Sequence, residues 1–159
     1  PAASPLPTVM QPAAPDEARQ GIPRVDDADV TPPVVTVTTV LDGGRPAVVV
    51  ILPEAVLFAF GSSELRPEAT PALTAVLGLC QRRPHAQVDV AGHTDAVGTP
   101  EHNLALSQRR AAAVAEWLVD HGVAPARLHA AGYGSSRPVA GNATEDDRRR
   151  NRRVDVTVS

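Results

Sequence analysis

The chain has 159 residues, 43% of them hydrophobic and 3% aromatic, with a formal charge of −3. That length accommodates one domain and a tail, the core must be built from Val, Leu and Ala, and the charge balance excludes a general attraction to nucleic acid or anionic lipid. The single cysteine, Cys80, excludes an internal disulfide framework, and there is no run of roughly 18 apolar residues to make a membrane-crossing helix. The chain opens Pro1-Ala2-Ala3-Ser4-Pro5 without a signal-peptide pattern, so an export signal or anchor is expected upstream of it.

Residues 1–33 are rich in proline, mixed with Ala, Asp and Thr, and have no apolar periodicity. Such a composition buries too little surface to offset chain ordering. It predicts a semi-extended, flexible spacer reaching up to ~100 Å if stretched at ~3 Å per residue. The folded domain is expected over 34–159. Val34 to Val40 is β-branched and reads as a strand, Asp42-Gly43-Gly44 as a turn, and Ala47 to Leu52 as a second strand, giving a hairpin. Val56 to Phe60 is a short apolar run that extends this strand beyond Pro53 or forms a separate piece. A first helix falls within Pro67–Arg83, with Ala69, Leu73, Val76, Leu77 and Cys80 at helical spacing. Pro67 and Pro71 compete for its first position, and Pro84 stops it. Cys80 lies on its apolar face, as an inert buried thiol would.

Gln87 to Ala91 alternates as a strand and ends at Gly92. Thr99-Pro100-Glu101 then supplies an N-cap, a first-turn proline and a first-turn acid. The second helix runs from there to about His121, where Gly122 ends it. Leu128 to Gly132 is a short strand, Tyr133 to about Asn151 a loop, and Arg153 to Val158 a last strand with Val154, Val156 and Val158 on one face. The expected architecture is a two-layer α/β (α+β) sandwich. An N-terminal hairpin is followed by β-α-β-α-β-β, and both helices lie on one face of a mixed sheet.

The second helix carries the most informative pattern. Projected at about 100° per residue, Arg110 lies about 40° from Val114, inside the apolar stripe and away from Arg109, Glu116 and Asp120. Asn103 shares that line. A half-buried guanidinium needs an anion. Either Arg110 pairs internally with Asp95 or Asp89, or Asp95 and Arg110 both face a pocket at the strand end, Asp95 for an ammonium and Arg110 for a carboxylate.

The residues Phe58-Ala59-Phe60-Gly61-Ser62-Ser63-Glu64-Leu65, Gly92-His93-Thr94-Asp95, Gly98, Asn103, Leu106-Ser107, Arg110-Ala111, Gly132-Tyr133-Gly134, Pro138, Asn142 and Asn151-Arg152-Arg153-Val154 occur in order. Over roughly Val48 to Val158 they resemble the OmpA-like C-terminal domain, the family of peptidoglycan-associated lipoproteins and MotB-type flagellar stator subunits. The resemblance implies non-covalent binding of peptidoglycan through the diaminopimelate of its stem peptide. Asp95 would meet the ligand's ammonium and Arg110 its carboxylate. Thr94 and Asn103 match supporting positions, as does Arg153 in the Asn-Arg-Arg-Val element. It also implies a place in the cell envelope, in the periplasm or on the outer face of the cytoplasmic membrane, facing the wall. Membrane contact would come only through an upstream anchor. No catalysis and no cofactor are expected. Two departures stand out: Gly61 replaces a frequent Asp or Asn, and Asp147 precedes Arg148 where the family usually has Gly.

Other signals are weaker. The basic run Arg148-Arg149-Arg150-Asn151-Arg152-Arg153 follows Glu145-Asp146-Asp147 and has no interleaved aromatic, so it reads as a charged loop and not a nucleic-acid patch. His93 and His102 flank the pocket loop but match no metal motif. Ser107, His93 and Asp95 lack a nucleophile elbow. The alternative function is an OmpA-like protein-interaction module, stator-type included, whose pocket charges pair internally.

Overall fold

The computed structural model describes residues 35–159, so the spacer expected over 1–33 lies outside the described residues. β1 (Thr36–Asp42) and β2 (Arg45–Pro53) pair antiparallel, from Thr36 opposite Ile51 to Asp42 opposite Arg45. Gly43 and Gly44 close this hairpin at φ of 60° and 83°, a left-handed pair that residues with a Cβ rarely adopt. Pro53 ends β2 and precedes the one-turn helix α1 (Glu54–Leu57). A 3-10 turn, Pro67–Ala69, leads into α2 (Thr70–Arg82). β3 (Val88–His93), α3 (Pro100–Asp120), a 3-10 turn at Pro125–Arg127 and β4 (Leu128–Gly132) follow. α4 (Glu145–Asn151) and β5 (Arg153–Val158) complete the chain.

The five strands form one mixed sheet in the order β1-β2-β5-β3-β4. Only β3 and β4 run parallel, as a helical crossover requires. The last strand in sequence sits in the middle, with Val48 and Val88 both opposite Val158. One face carries Val48, Val50, Leu52, Val88, Val90, Val154, Val156 and Val158, which pack against Leu73, Val76 and Cys80 of α2 and Ala111, Val114 and Leu118 of α3. The core is aliphatic, with Phe58 its largest side chain. Burial pushes the Cys80 thiol above its ordinary pKa, against a smaller opposing pull from Arg127. Arg127 also closes the end of α2: Nε donates to Ala86 O at 2.8 Å, and Nη2 to Arg83 O at 2.6 Å and Cys80 O at 3.1 Å.

α3 rests directly on the ends of the two parallel strands. Gly92 and Gly132 face each other in register. A Cβ on Gly92 would meet the Ser107 backbone closer than 3.0 Å, and one on Gly132 would meet Gln108 N and Ser107 Oγ as closely. Ser107 Oγ in turn accepts from Gly134 N at 2.9 Å. The two glycines therefore set how deep the middle of α3 sits.

Three expectations need correction. Of the two readings of Val56–Phe60 the separate piece holds, but it is not the strand that the β-α-β-α-β-β order counts there: its first residues belong to α1, and only Phe58 makes an isolated bridge, to Leu65. The segment after Tyr133 is not all loop, because it contains α4. Thr144 caps that helix by accepting from Asp147 N at 3.1 Å, and Glu145, Asp146 and Asp147 pair with Arg148, Arg149 and Arg150 three residues on. The order after the hairpin is thus α-α-β-α-β-α-β, not β-α-β-α-β-β. Pro67 and Pro71 do not compete either. Each opens its own helix, the 3-10 turn and α2, where its missing N–H breaks no bond.

Candidate functional site

The site is built where β3 stops. Gly92 O accepts from Tyr133 N and Gly134 O accepts from Thr94 N, both at 2.9 Å, so the chain after β3 is tied to the chain after β4. Thr94 Oγ1 donates to Asp95 O at 2.8 Å. Asp95 Oδ1 accepts from Val97 N at 3.0 Å, which turns the carboxylate inward. Thr99 caps α3 by accepting from His102 N at 3.1 Å. One turn in, Asn103 donates back to Val97 O at 3.0 Å and to Asp95 O at 3.3 Å. Thr94 and Asn103 are therefore both buried and both shape the loop that aims Asp95.

Two turns along α3, Arg110 is buried as the stripe predicts, with 3% of its surface exposed. Its Nε donates to Ser62 O at 2.9 Å, and its guanidinium lies 5.0 Å from the centre of the Phe58 ring. Although Gly61 removes a side chain from that loop, the loop still reaches Arg110 through its backbone. Arg110 pairs with neither Asp95 nor Asp89. Its Nη2 lies 2.7 Å from Glu54 Oε1. That approach is a close ion pair without hydrogen-bond alignment, since the same nitrogen has no hydrogen-bond partner among the described residues.

Glu54 leads to Arg152. Glu54 Oε2 is 2.8 Å from Arg152 Nε, Arg152 Nη1 donates to Asp95 Oδ2 at 2.7 Å, and Nη2 donates to Glu145 Oε2 at 2.6 Å. Arg110, Glu54, Arg152 and Asp95 form an unbroken sequence of alternating charges with little exposure. Burial works against the charge on Arg152, but hydrogen bonds to Glu145 and Asp95 and the Glu54 charge outweigh it and hold its pKa above the usual value. The hydrogen bond from Arg152 holds the Glu145 carboxyl below the usual glutamate range, against a weaker opposing effect of burial.

The structure does not bring Arg153 into this cluster. Its guanidinium bonds Asp155, Asn151 O and Arg137 O, none of them a site residue. β5 carries Val154, Val156 and Val158 on the core face, so Arg153 projects to the opposite face. There its register partner is His93, whose Nε2 is 3.4 Å from Asp155 and whose ring stacks on Tyr133. The arginine at the site is Arg152. The same period-two reading, continued one residue back from Arg153, points to it. Glu54 gave no sequence signal. The β2–β5 register places Pro53 opposite Arg153, and Glu54 N continues the ladder by donating to Arg152 O at 2.9 Å, which brings the two side chains together.

The rim is fixed by one buried amide. Asn151 Oδ1 accepts from Val139 N at 2.8 Å and Ala140 N at 3.0 Å, while Nδ2 donates to Ala140 O at 3.0 Å and Asn142 Oδ1 at 3.1 Å. Asn142 Oδ1 also accepts from Ala96 N at 3.1 Å, joining this rim to the Asp95 loop.

A mixed five-stranded sheet with two long helices on one face, and a buried row of alternating charges where β3 ends, defines an α/β domain with a charged strand-end site. The profile of the OmpA family matches residues 57–152, and the chain belongs to that family. It is 47% identical over 103 residues to outer membrane porin F of Pseudomonas fluorescens, a match covering 65% of this chain and 32% of that protein. It is 45% identical over 103 residues to the peptidoglycan-associated lipoprotein of Pseudomonas aeruginosa, covering 62% of this chain and 58% of that one. The chain thus spans from about a third to somewhat over half of these relatives. Among solved structures, the cell wall anchor of the T6SS from Pseudomonas aeruginosa superposes with a TM-score of 0.66 at 34% identity, covering 78% of this chain and 86% of that chain.

Proposed function

We propose that this domain binds peptidoglycan non-covalently, through the diaminopimelate of the stem peptide, and tethers an envelope protein to the cell wall. The observation that carries the reading is the placement of Asp95 and Arg110. They are buried, opposite in charge, linked through Glu54 and Arg152 in one charged cluster, and not paired with each other. A ligand bearing an ammonium and a carboxylate on one carbon matches that polarity. Thr94 and Asn103 hold the Asp95 loop, and Arg152 takes the position first assigned to Arg153. The family membership supports the reading, as do the names of two similar proteins, a peptidoglycan-associated lipoprotein and a cell wall anchor. Binding of this kind needs no cofactor and breaks no bond.

A charge-assisted hydrogen bond contributes roughly 1.5–3 kcal/mol. Two such anchors less the association cost give a monovalent affinity of about micromolar to millimolar, which a repeating wall raises by avidity. Asp95→Ala and Arg110→Ala are each expected to abolish sedimentation with purified wall while circular dichroism stays near wild type. Free diaminopimelate should compete better than lysine. A variant that still sediments rules out the site, and soluble fragments released from the wall point to an enzyme. One observation favours a second reading, a protein-interaction module: Glu54 and Arg152 pair with the two pocket charges. Wild-type protein that ignores the wall would favour it.

A further inference from the structure

The Glu54–Arg152 pair has no assigned task, and its arrangement is specific. Arg152 places a cation on Asp95 at 2.7 Å, where the proposed ligand's ammonium would go. Glu54 places a carboxylate on Arg110 at 2.7 Å, where the ligand's carboxylate would go. The two also hold each other at 2.8 Å. Resting on the diaminopimelate reading, we propose that Glu54 and Arg152 are a resident substitute for the ligand, and that binding is an exchange that makes the site selective for zwitterions.

The selectivity follows from counting charges. An incoming ammonium takes Asp95 from Arg152, and an incoming carboxylate takes Arg110 from Glu54. Glu54 and Arg152 then remain paired with each other, so a zwitterion leaves no charge unmatched. A ligand with only a carboxylate adds a negative charge and pushes Glu54 away from Arg110. A ligand with only an amine adds a positive charge and displaces Arg152. Unmatched charge is strongly unfavourable at side chains exposed by only 3% for Arg110, 13% for Glu54 and 12% for Asp95. Glu54 is thus a specificity-determining residue that excludes simple carboxylates.

Calorimetric titration of the wild type and Glu54→Gln with meso-diaminopimelate, pimelate and cadaverine tests this. Pimelate has the same carboxylates without the amines, and cadaverine has the amines alone. The wild type is expected to bind diaminopimelate and to discriminate against the other two. Glu54→Gln frees Arg110 and should gain pimelate binding by at least tenfold, narrowing the diaminopimelate-to-pimelate ratio. An unchanged ratio overturns the exchange and leaves the peptidoglycan reading standing. No binding of diaminopimelate by either protein overturns the reading and the exchange with it, whereas binding by the variant alone supports the exchange. If Glu54→Gln does not fold, the wild type still decides: diaminopimelate should shift the Glu54 carboxyl carbon and Arg152 Nε–H resonances, and unmoved signals overturn the proposal.

Discussion

Arg152 makes three ion pairs with three different carboxylates, Glu54, Asp95 and Glu145, through three different nitrogens. A guanidinium spreads five N–H donors over three nitrogens and so reaches three separated carboxylates, which an ammonium would have to gather around one nitrogen. Removing one partner of a buried pair typically costs ~3–5 kcal/mol, because the other charge is stranded. Arg152→Ala is therefore expected to lower stability in urea by about 3 kcal/mol at pH 7. Part of that loss should be pH-dependent. Glu145 has its pKa lowered by Arg152, so its contribution is present above the ordinary glutamate value near ~4.3 and is lost as pH falls through its lower folded value. The gap between wild type and variant should narrow at pH 3; a gap that widens there would refute this assignment. Arg110 was legible in the sequence because a charge in an apolar stripe violates the helical pattern. Arg152 was not singled out because it stands beside Arg153 in a run of arginines, and only the strand alternation separates the two.

At the scale of elements, the site depends on how deep α3 lies. Asn103 and Arg110 stand two turns apart on this helix, on either side of Ser107, which touches Gly92 and Gly132. The added methyl of Gly92→Ala or Gly132→Ala meets backbone, which cannot swing aside. Overpacking of this kind costs ~1–3 kcal/mol. Each variant is expected to lose about 2 kcal/mol in urea unfolding and, because the helix must lift, to bind diaminopimelate more weakly even when folded. An alanine variant with wild-type stability and affinity would show that the helix does not press on the strands. The hairpin, α2, β3, α3, β4 and β5 were readable from period and caps. α4 was missed although Thr144 and Asp147 form a capping pair, because a six-residue charged stretch has no apolar stripe to mark it. α1 was missed because Val56, Leu57 and Phe58 are apolar in a row, which fits either a strand or a buried turn equally well.

For the whole molecule, the fold class followed from alternating elements, but the sheet order did not. β5 reaches the centre through pairs such as Val48 with Val158, more than a hundred residues apart, and no local pattern encodes such a partnership. Placing β5 there also brings Arg152 beside Glu54, so the missed topology and the missed site residues are one omission. Among the described residues, 35–159, the core and the site are both present. A fragment of residues 34–159 is expected to match the full chain in thermal midpoint and in diaminopimelate affinity. A drop in either would make 1–33 part of the folded unit and not a spacer.

Asn151 has both ends of its amide engaged with the backbone and side chain of the rim. The rim from Val139 to Asn142 is thereby tied to the end of α4 by the fold itself. If the domain grips the wall as proposed, the ordering of that rim is set by folding and does not weigh against association. On that reading few contacts are needed to hold a guest, which suits a fastening made of many weak attachments.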